Sequence, residues 1–282
     1  MAKFDPAREG EPMVIRSAGE LMFPATRRGF IRTLLAGGSV MLLPSVFTAC
    51  SDDDGDDNPL GPGPIPGPVT GVSFNLQSDV GIFQLLHLNE QLEAAFYTAV
   101  VASDTFNSMS ADERELLRDI RDTEVVHREF VRTALGSAAL PDIRGSIDRN
   151  VLDQALSSRV SILTLARTFE NTGVAALNGA GKYLTDVRNL LIAGKFASVE
   201  ARHAAALEDV LPPAGVNPNT AFAGDHLIDA TGRDVKLEAP VVLQKVASTG
   251  LLRAGTLASA PITALPTPIQ GVATADFFPA NP

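Results

Sequence analysis

Four segments of the chain carry apolar residues spaced three and four apart, and this pattern limits the fold more than any other feature. Such spacing predicts amphipathic helices. The predicted helices span residues 78–102, 110–136, 156–180 and 184–210. Ser110 and Glu113 form a capping box at the start of the second helix, and Gly136 ends it. The sequence therefore predicts a mainly helical domain.

The connections between the helices predict their arrangement. The loops within each helix pair are short, whereas a longer link at residues 137–155 joins the two pairs. This is the topology of an all-α four-helix bundle with one long crossover. We place the bundle at residues 76–210 and read residues 211–282 as a Pro- and Ala-rich tail that packs on it. One more helix is predicted in the tail, at 239–254, with Pro240 in its first turn.

Each predicted bundle helix has a glutamate near its middle, and the second and fourth helices add a histidine three residues later. These six residues are Glu90, Glu124, His127, Glu170, Glu200 and His203. Residues i and i+3 lie on one face of a helix, so both members of a Glu-x-x-His pair can reach the same inward point. The two glutamates of each helix pair are separated by 34 and by 30 residues, so the halves match.

Four carboxylates that converge in a dry bundle centre cannot all stay ionised without cations. Two divalent metal ions would balance them. Oxygen and imidazole donors suit iron or manganese, and zinc would also bind. Cys50 is the sole cysteine, which excludes an intramolecular disulfide and a metal cluster held only by protein thiolates.

The order Glu, Glu-x-x-His, Glu, Glu-x-x-His resembles that of the dimetal carboxylate proteins of the ferritin-like superfamily. The stretch from Asn89 to Tyr97 resembles the first helix of these proteins, and Glu170-Asn-Thr-Gly173 resembles the third. The resemblance covers residues 78–210. It extends to bacterial members that are exported from the cytoplasm.

This resemblance implies that the six glutamates and histidines are metal ligands. It implies that Glu124 and Glu200 bridge the two metals, while Glu90 and Glu170 are terminal. Tyr97 is expected to hydrogen-bond a ligand carboxylate. The matching position after Glu170 is Leu177, so a symmetric tyrosine is absent, and redox roles assigned to such a tyrosine are not carried over.

Three further polar residues have weaker predictions. Glu93 lies one turn from Glu90 and is expected either to be solvated or to lie beside the ligands, although it could replace one of them. His87 is expected to be a polar residue at the flank of the helix, and His226 in the tail is expected to have no role.

The N-terminus has the pattern of an export signal. Arg27 and Arg28 precede a short apolar run at residues 33–47, which is too short to span a bilayer as a helix. The arginine pair resembles a twin-arginine signal, which implies passage through the twin-arginine export machinery. We therefore predict a signal peptide at residues 1–49 and a location outside the cytoplasm, in the periplasm or on the cell surface.

Cys50 ends a Val-Phe-Thr-Ala-Cys stretch that resembles the lipobox of bacterial lipoproteins. Cleavage before Cys50 and lipidation of its thiol would anchor the chain to a membrane; the alternative is ordinary cleavage near Ala49, which leaves the thiol free. Residues 50–75 begin with a run rich in Asp and continue with repeated Gly-Pro contacts. Such a segment cannot bury a core, so we predict an extended tether.

Charge argues against a nucleic-acid partner. The chain has a formal charge of −10, and its only basic stripe lies in the first 32 residues. Cleavage before Cys50 would leave 17 basic and 29 acidic residues, a charge of −12. The sequence does not decide whether the chain forms a homo-oligomer.

Three functional hypotheses remain. The first is a redox enzyme whose two metals react with dioxygen or peroxide, or oxidise ferrous iron, in defence against oxidants. The second is a non-enzymatic scaffold or binding protein related to stress or desiccation. The third is a storage cage, which a lipid tether and a 72-residue tail would obstruct. Fold alone does not decide among them.

Overall fold

The computed structural model describes residues 64–224, 226–230, 232–263 and 265. The predicted signal peptide, with Arg27 and Arg28, lies outside these residues, as do Cys50 and most of the predicted tether. Among the residues that are described, no helix is long and apolar enough to cross a membrane.

The described residues are mainly helical, which confirms the predicted all-α class. In chain order the elements are β1 (Val72–Phe74), α1 (Asp79–Val101), α2 (Asp104–Asn107), α3 (Ala111–Leu135), α4 (Arg149–Ala155), α5 (Arg159–Ala180), α6 (Val187–Val210), α7 (Ala239–Ser248) and β2 (Leu257–Ile262). The four long helices, α1, α3, α5 and α6, are the four that the sequence predicts.

Side-chain caps set where the long helices begin. The Ser78 hydroxyl accepts a hydrogen bond from the Gly81 amide at the start of α1, and Ser110 and Glu113 form the predicted capping box of α3. Helices α5 and α6 each begin three residues later than predicted, because Ser158 and Asp186 cap them. Apolar spacing extends past both caps, so periodicity alone placed these two starts too early.

The long helices pack in two pairs. Helix α1 packs most extensively on α3, and α5 packs most extensively on α6, with α1 against α5 between the pairs. Residues 136–158 form the crossover from the first pair to the second. This crossover contains the short helix α4, which the sequence did not predict.

Two apolar clusters fill the bundle, one toward each end. Leu88 and Leu92 of α1 belong to the first cluster, together with Phe196 of α6. Phe96 of α1 and Phe169 of α5 belong to the second. The midpoints of all four long helices lie between the clusters, and there the buried residues become polar.

The C-terminal part of the chain packs on the bundle through α7, which contacts α5. Helix α7 ends at Ser248, earlier than the predicted residue 254, and Gly250 follows with a φ of 71°. Strand β2 pairs in parallel with β1. Val72 and Phe74 of β1 are buried, so the last residues of the predicted tether join the folded part of the chain.

Gly179 allows the segment before α7 to lie directly on α5. The Leu237 amide donates a hydrogen bond to the Ala175 carbonyl at 2.8 Å. A Cβ atom on Gly179 would lie 1.9 Å from the Leu237 carbonyl oxygen, a separation that only movement of the backbone can relieve. This contact therefore requires glycine at position 179.

We expect Gly179→Ala to lower the free energy of unfolding by about 1–3 kcal/mol, the range for overpacked sites. Urea denaturation measures this change. Gly194→Ala on α6 is the matched control, because a Cβ atom there meets nothing within 4 Å. The control should be neutral or stabilising by about 0.4–1 kcal/mol. Equal stability of both variants would show that the Leu237 contact is not maintained in solution.

Candidate metal centre

The structure brings the six predicted ligands together at the centre of the bundle. Glu90 comes from α1, Glu170 comes from α5, and each Glu-x-x-His pair comes from α3 or α6. We call these six residues the Glu/His cluster. All four glutamates are fully buried, and His127 is 8% exposed. Apolar side chains above and below exclude water, so the cluster has few partners other than its own members.

The cluster divides into two overlapping groups of side chains. In each group, one ligand atom from every member lies within 4.8 Å of the others. The first group consists of Glu90, Glu124, His127 and Glu200, and the second consists of Glu124, Glu170, Glu200 and His203. Glu124 and Glu200 belong to both groups. The geometry therefore offers two adjacent sites that share two carboxylates.

Each histidine faces three carboxylates through its Nδ1 atom. His127 Nδ1 lies 3.3 Å from Glu90 Oε2, 3.2 Å from Glu124 Oε2 and 3.1 Å from Glu200 Oε1. His203 Nδ1 lies 2.9 Å from Glu124 Oε1 and 4.0 Å from Glu200 Oε2. The third carboxylate is that of Glu170, whose Oε2 lies 3.2 Å from His203 Nδ1. A single ring nitrogen cannot donate to three oxygens at once, so this geometry suits a cation between imidazole and carboxylates.

Burial favours the neutral form of the carboxyl groups. Burial raises the pKa of Glu90 well above its ordinary value, and the charges of Glu200 and Glu124 raise it further. Burial likewise raises the pKa of Glu200 to about 7, with Glu170 as the next cause. In the absence of cations the centre would therefore take up protons.

The pKa values of the two histidines are raised as well, but the cause is the neighbouring carboxylates and not burial. Burial by itself lowers the pKa of His203, but hydrogen bonds to Glu124 and Glu170 raise it to about 10. The pKa of His127 is raised above its ordinary value for the same reason, mainly by Glu90, against the effect of burial. Protons and metal ions therefore compete for the same ligand atoms.

Unpartnered oxygens provide a test of whether metal ions fit. Both carboxylate oxygens of Glu90 and of Glu200, and Oε1 of Glu124, are buried, and among the described residues none of them accepts a hydrogen bond of good geometry. The imidazole nitrogens near three of these oxygens are each shared among several carboxylates. Buried polar atoms in native proteins nearly always have partners, and an unpaired one costs about 1–3 kcal/mol. A cluster of such oxygens beside two imidazoles matches the donor set of divalent cations, so the residues fit the implied metals. The buried Glu/His cluster can hold metal ions.

Tyr97 lies at one side of the cluster. Its hydroxyl donates a 2.5 Å hydrogen bond to Glu170 Oε1, and the residue is fully buried. The sequence predicted a bond to a ligand carboxylate, and the structure identifies the acceptor as the glutamate of α5. Burial and the charge of Glu170 raise the pKa of Tyr97 well above its ordinary value, so the phenol keeps its proton.

We expect Tyr97→Phe to lower metal affinity about 10- to 100-fold, because Glu170 loses the donor that orients it. A competition titration with a chromophoric chelator measures this affinity. Tyr183→Phe is the matched control, since the hydroxyl of the only other tyrosine bonds Glu238 at 2.7 Å. Equal affinity in both variants would remove Tyr97 from the metal centre.

Three further residues, Glu93, Asn89 and Gly173, complete the surroundings of the cluster. Glu93 is fully buried but belongs to neither ligand group. The Asn89 amide donates a 2.7 Å hydrogen bond to Glu93 Oε2. A Cβ atom on Gly173 would lie 3.3 Å from Asn89 Nδ2 and 3.7 Å from Glu200 Oε2, so glycine leaves room for these polar groups. Sequence reasoning named Asn89 and Gly173 only as parts of the resemblance and gave them no role.

The remaining two histidines lie outside the Glu/His cluster. His87 is not at a polar flank as predicted, because it is 1% exposed and its Nδ1 accepts the Leu140 amide at 3.2 Å. Burial lowers the pKa of His87 to about 4, so the ring is neutral. His226, expected to have no role, has its Nε2 atom 3.3 Å from Oε1 of Glu208.

Comparison with known proteins agrees with this geometry. Residues 78–212 match the family model described as "Ferritin-like domain". No curated protein matches the chain. The matched residues run from the cap of α1 to just past the end of α6 and include every member of the Glu/His cluster. The match supports an assignment of residues 78–212 to the ferritin-like superfamily.

Proposed function

We propose that the Glu/His cluster binds two divalent metal ions, iron or manganese, and that the protein performs redox chemistry with dioxygen or peroxide. The observation that carries this proposal is the pair of ligand groups that share Glu124 and Glu200. Shared carboxylates suit bridging positions between two cations. Glu90 with His127, and Glu170 with His203, then complete one site each.

Charge supports two ions in this centre. Four carboxylates of the cluster balance two divalent cations, with both imidazoles neutral. Glu93 adds a fifth buried carboxyl group nearby, and burial raises its pKa well above its ordinary value. Burial therefore favours the neutral form of Glu93, which leaves the balance between the four cluster carboxylates and two divalent cations unchanged.

The protein residues have defined parts in this chemistry. A pair of iron or manganese ions would supply the electrons that reduce dioxygen or peroxide. Tyr97 holds Glu170 in place, and Asn89 holds Glu93. The side chains of His127 and His203 are 10% and 12% exposed, so the centre is closest to solvent on the histidine side. Reactants would approach from that side.

A turnover assay tests the proposal. Protein loaded with Fe²⁺ or Mn²⁺ is mixed with hydrogen peroxide alone, which can act as both oxidant and reductant, or with dioxygen and excess Fe²⁺ as the electron donor. Consumption of the oxidant above the protein-free rate is followed over many equivalents. We expect sustained consumption with one metal and one oxidant, and loss of it in Glu200→Gln. Metal-loaded protein that consumes neither oxidant would contradict the redox function and leave a metal-containing scaffold.

We also propose export through the twin-arginine machinery and anchoring by a lipid on Cys50. A folded domain that carries metal suits a pathway for folded proteins, because metal can be loaded before export. We expect Cys50→Ala to move the protein from the membrane fraction to the soluble extracytoplasmic fraction. Arg27→Lys with Arg28→Lys should retain it in the cytoplasm. Unchanged fractionation of both variants would refute the anchor and the signal.

A further inference from the structure

A second polar site lies outside the metal centre, between α5 and α6 on one side and residues 221–224, 226–230 and 232–235 on the other. A cavity of about 110 Å³ is found there. Its inner wall includes Asn171 of α5 and Glu208 of α6, and Phe222 and Asp234 line it from the C-terminal segment. Much of the remaining wall is small or apolar, with alanines at 201, 204 and 205. The metal centre uses none of these residues.

Glu208 is the unusual residue of this cavity. It is only 1% exposed, although it is a charged residue. Its Oε1 atom accepts a 2.7 Å hydrogen bond from Asn171 Nδ2, and Arg167 Nε and His226 Nε2 lie 3.8 Å and 3.3 Å from the same oxygen. The donors that this region supplies therefore converge on one oxygen of the carboxylate.

The second oxygen has no such partner. Among the described residues, no hydrogen-bond donor reaches Glu208 Oε2 or Asn171 Oδ1, and both atoms are buried. The bond from Asn171 Nδ2 to Glu208 fixes the orientation of the amide, so its oxygen remains an acceptor. Asn171 and Glu208 both line the cavity, and each has one buried acceptor without a donor, so a ligand that brings its own donors would suit them.

The charges around the cavity favour a cation. Glu208 and Asp234 contribute two carboxylates, and Arg167 offsets one of them. A metal ion fits less well, because these residues are not among the groups of three or more ligand atoms within 4.8 Å in the described part of the chain. An ammonium group carries one positive charge and several N–H donors, which is the complement of these acceptors.

The apolar wall defines the rest of the ligand. Both Phe222 and Glu208 line the cavity, but Phe222 is 57% exposed whereas Glu208 is 1% exposed. A ligand whose ammonium group reaches Glu208 would lay its other atoms along alanine side chains toward Phe222. A short unbranched alkyl chain meets these demands.

We propose that this cavity binds a primary alkylammonium ion, with the N–H groups donating to Glu208 Oε2 and Asn171 Oδ1. The proposal is independent of metal binding. It names a ligand-binding site for small organic amines next to the C-terminal segment, beyond the redox function proposed above.

The test uses metal-loaded protein and three small probes, measured by isothermal titration calorimetry. The probes are n-butylammonium, tetramethylammonium, which has the charge but no N–H donor, and n-butyrate, which has the opposite charge. We expect n-butylammonium to bind at least about tenfold more tightly than either other probe. Equal binding of n-butylammonium and tetramethylammonium, or no binding of n-butylammonium, would overturn the proposal.

Two variants locate the site. Glu208→Gln should weaken n-butylammonium binding about tenfold or more, because it removes the charge while keeping the acceptor that Asn171 uses. Ala205→Leu should abolish binding by filling the cavity, and it leaves every polar group in place. Metal content should stay unchanged in both variants. Unchanged amine binding in either folded variant, or only ordered waters in crystals soaked with n-butylammonium, would also refute the site.

Discussion

Glu124→Gln is expected to remove metal from both positions of the centre, whereas Glu90→Gln should affect one position. Glu124 belongs to both ligand groups, and Glu90 belongs to only one. The native chain should bind about two metal ions, as dimetal carboxylate bundles do. Glu124→Gln should then bind less than about one, and Glu90→Gln about one. Elemental analysis after purification without chelator gives these numbers.

The control for this comparison is Glu115→Gln, on the same helix as Glu124 but exposed to solvent. It should bind as much metal as the native chain. The metal-free Glu124→Gln protein should be no less stable than metal-free native protein, because an amide replaces one of several buried carboxyl groups that repel each other when ionised. Equal metal loss in Glu90→Gln and Glu124→Gln, with both variants folded, would contradict shared ligation.

Chelation of the metals should cause the largest change in stability. Each ion adds about 4 kcal/mol when free metal exceeds its Kd a thousandfold. Because about 2–4 °C correspond to 1 kcal/mol in a domain of this size, removal of two ions should lower Tm by on the order of 20 °C. Differential scanning calorimetry of loaded and metal-free protein measures the difference. An unchanged Tm after chelation would mean that metal bound to the Glu/His cluster does not stabilise the fold.

The difference in Tm between metal-loaded and metal-free protein should grow as pH rises. The pKa of Glu200 is raised to about 7 and that of His203 to about 10, so the metal-free folded chain binds protons more tightly than the unfolded chain. The stability that these two groups contribute by binding protons is fully present below their pKa values in the unfolded chain. It is lost as pH rises through their pKa values in the folded chain. Metal binding requires the deprotonated ligands. From about pH 5 to about pH 8, metal-free protein should therefore lose Tm while the increment due to metal increases.

A pH series of calorimetric scans checks both trends. The Glu200→Gln variant is the control, since it lacks one of the titrating groups. Its metal-free form should show a weaker dependence on pH than the native chain. An increment due to metal that shrinks as pH rises would contradict the assignment of these carboxyl and imidazole groups as ligands.

The sequence predicted the bundle well because the relevant signals are local. Apolar periodicity gave the four long helices, and the capping box at Ser110 gave the start of α3 correctly. The positions of Glu124 and Glu200 near helix midpoints predicted their meeting in the centre. That inference needed only the helix period and the order of the helices.

Features that depend on contacts between distant segments were not predicted. Strand β1 forms because β2, far along the chain, pairs with it. His87 appeared to be a flank residue because nothing local indicates that the Leu140 amide would cover it. Glu208 resembles any charged residue in a helix, and nothing local indicates that His226 and the cavity-lining residues of the C-terminal segment lie beside it. In each of these cases a segment distant along the chain packs against the residue, and the local sequence pattern does not indicate that contact.

The most direct test of the dimetal centre is anomalous diffraction from crystals of protein purified without chelator, recorded at the iron and manganese absorption edges. We expect two adjacent peaks in the bundle centre. One should border Glu90 and His127, the other Glu170 and His203, and Glu124 and Glu200 should contact both. A folded protein with no peak there, even after crystals are soaked in ferrous or manganous salt, would contradict the account.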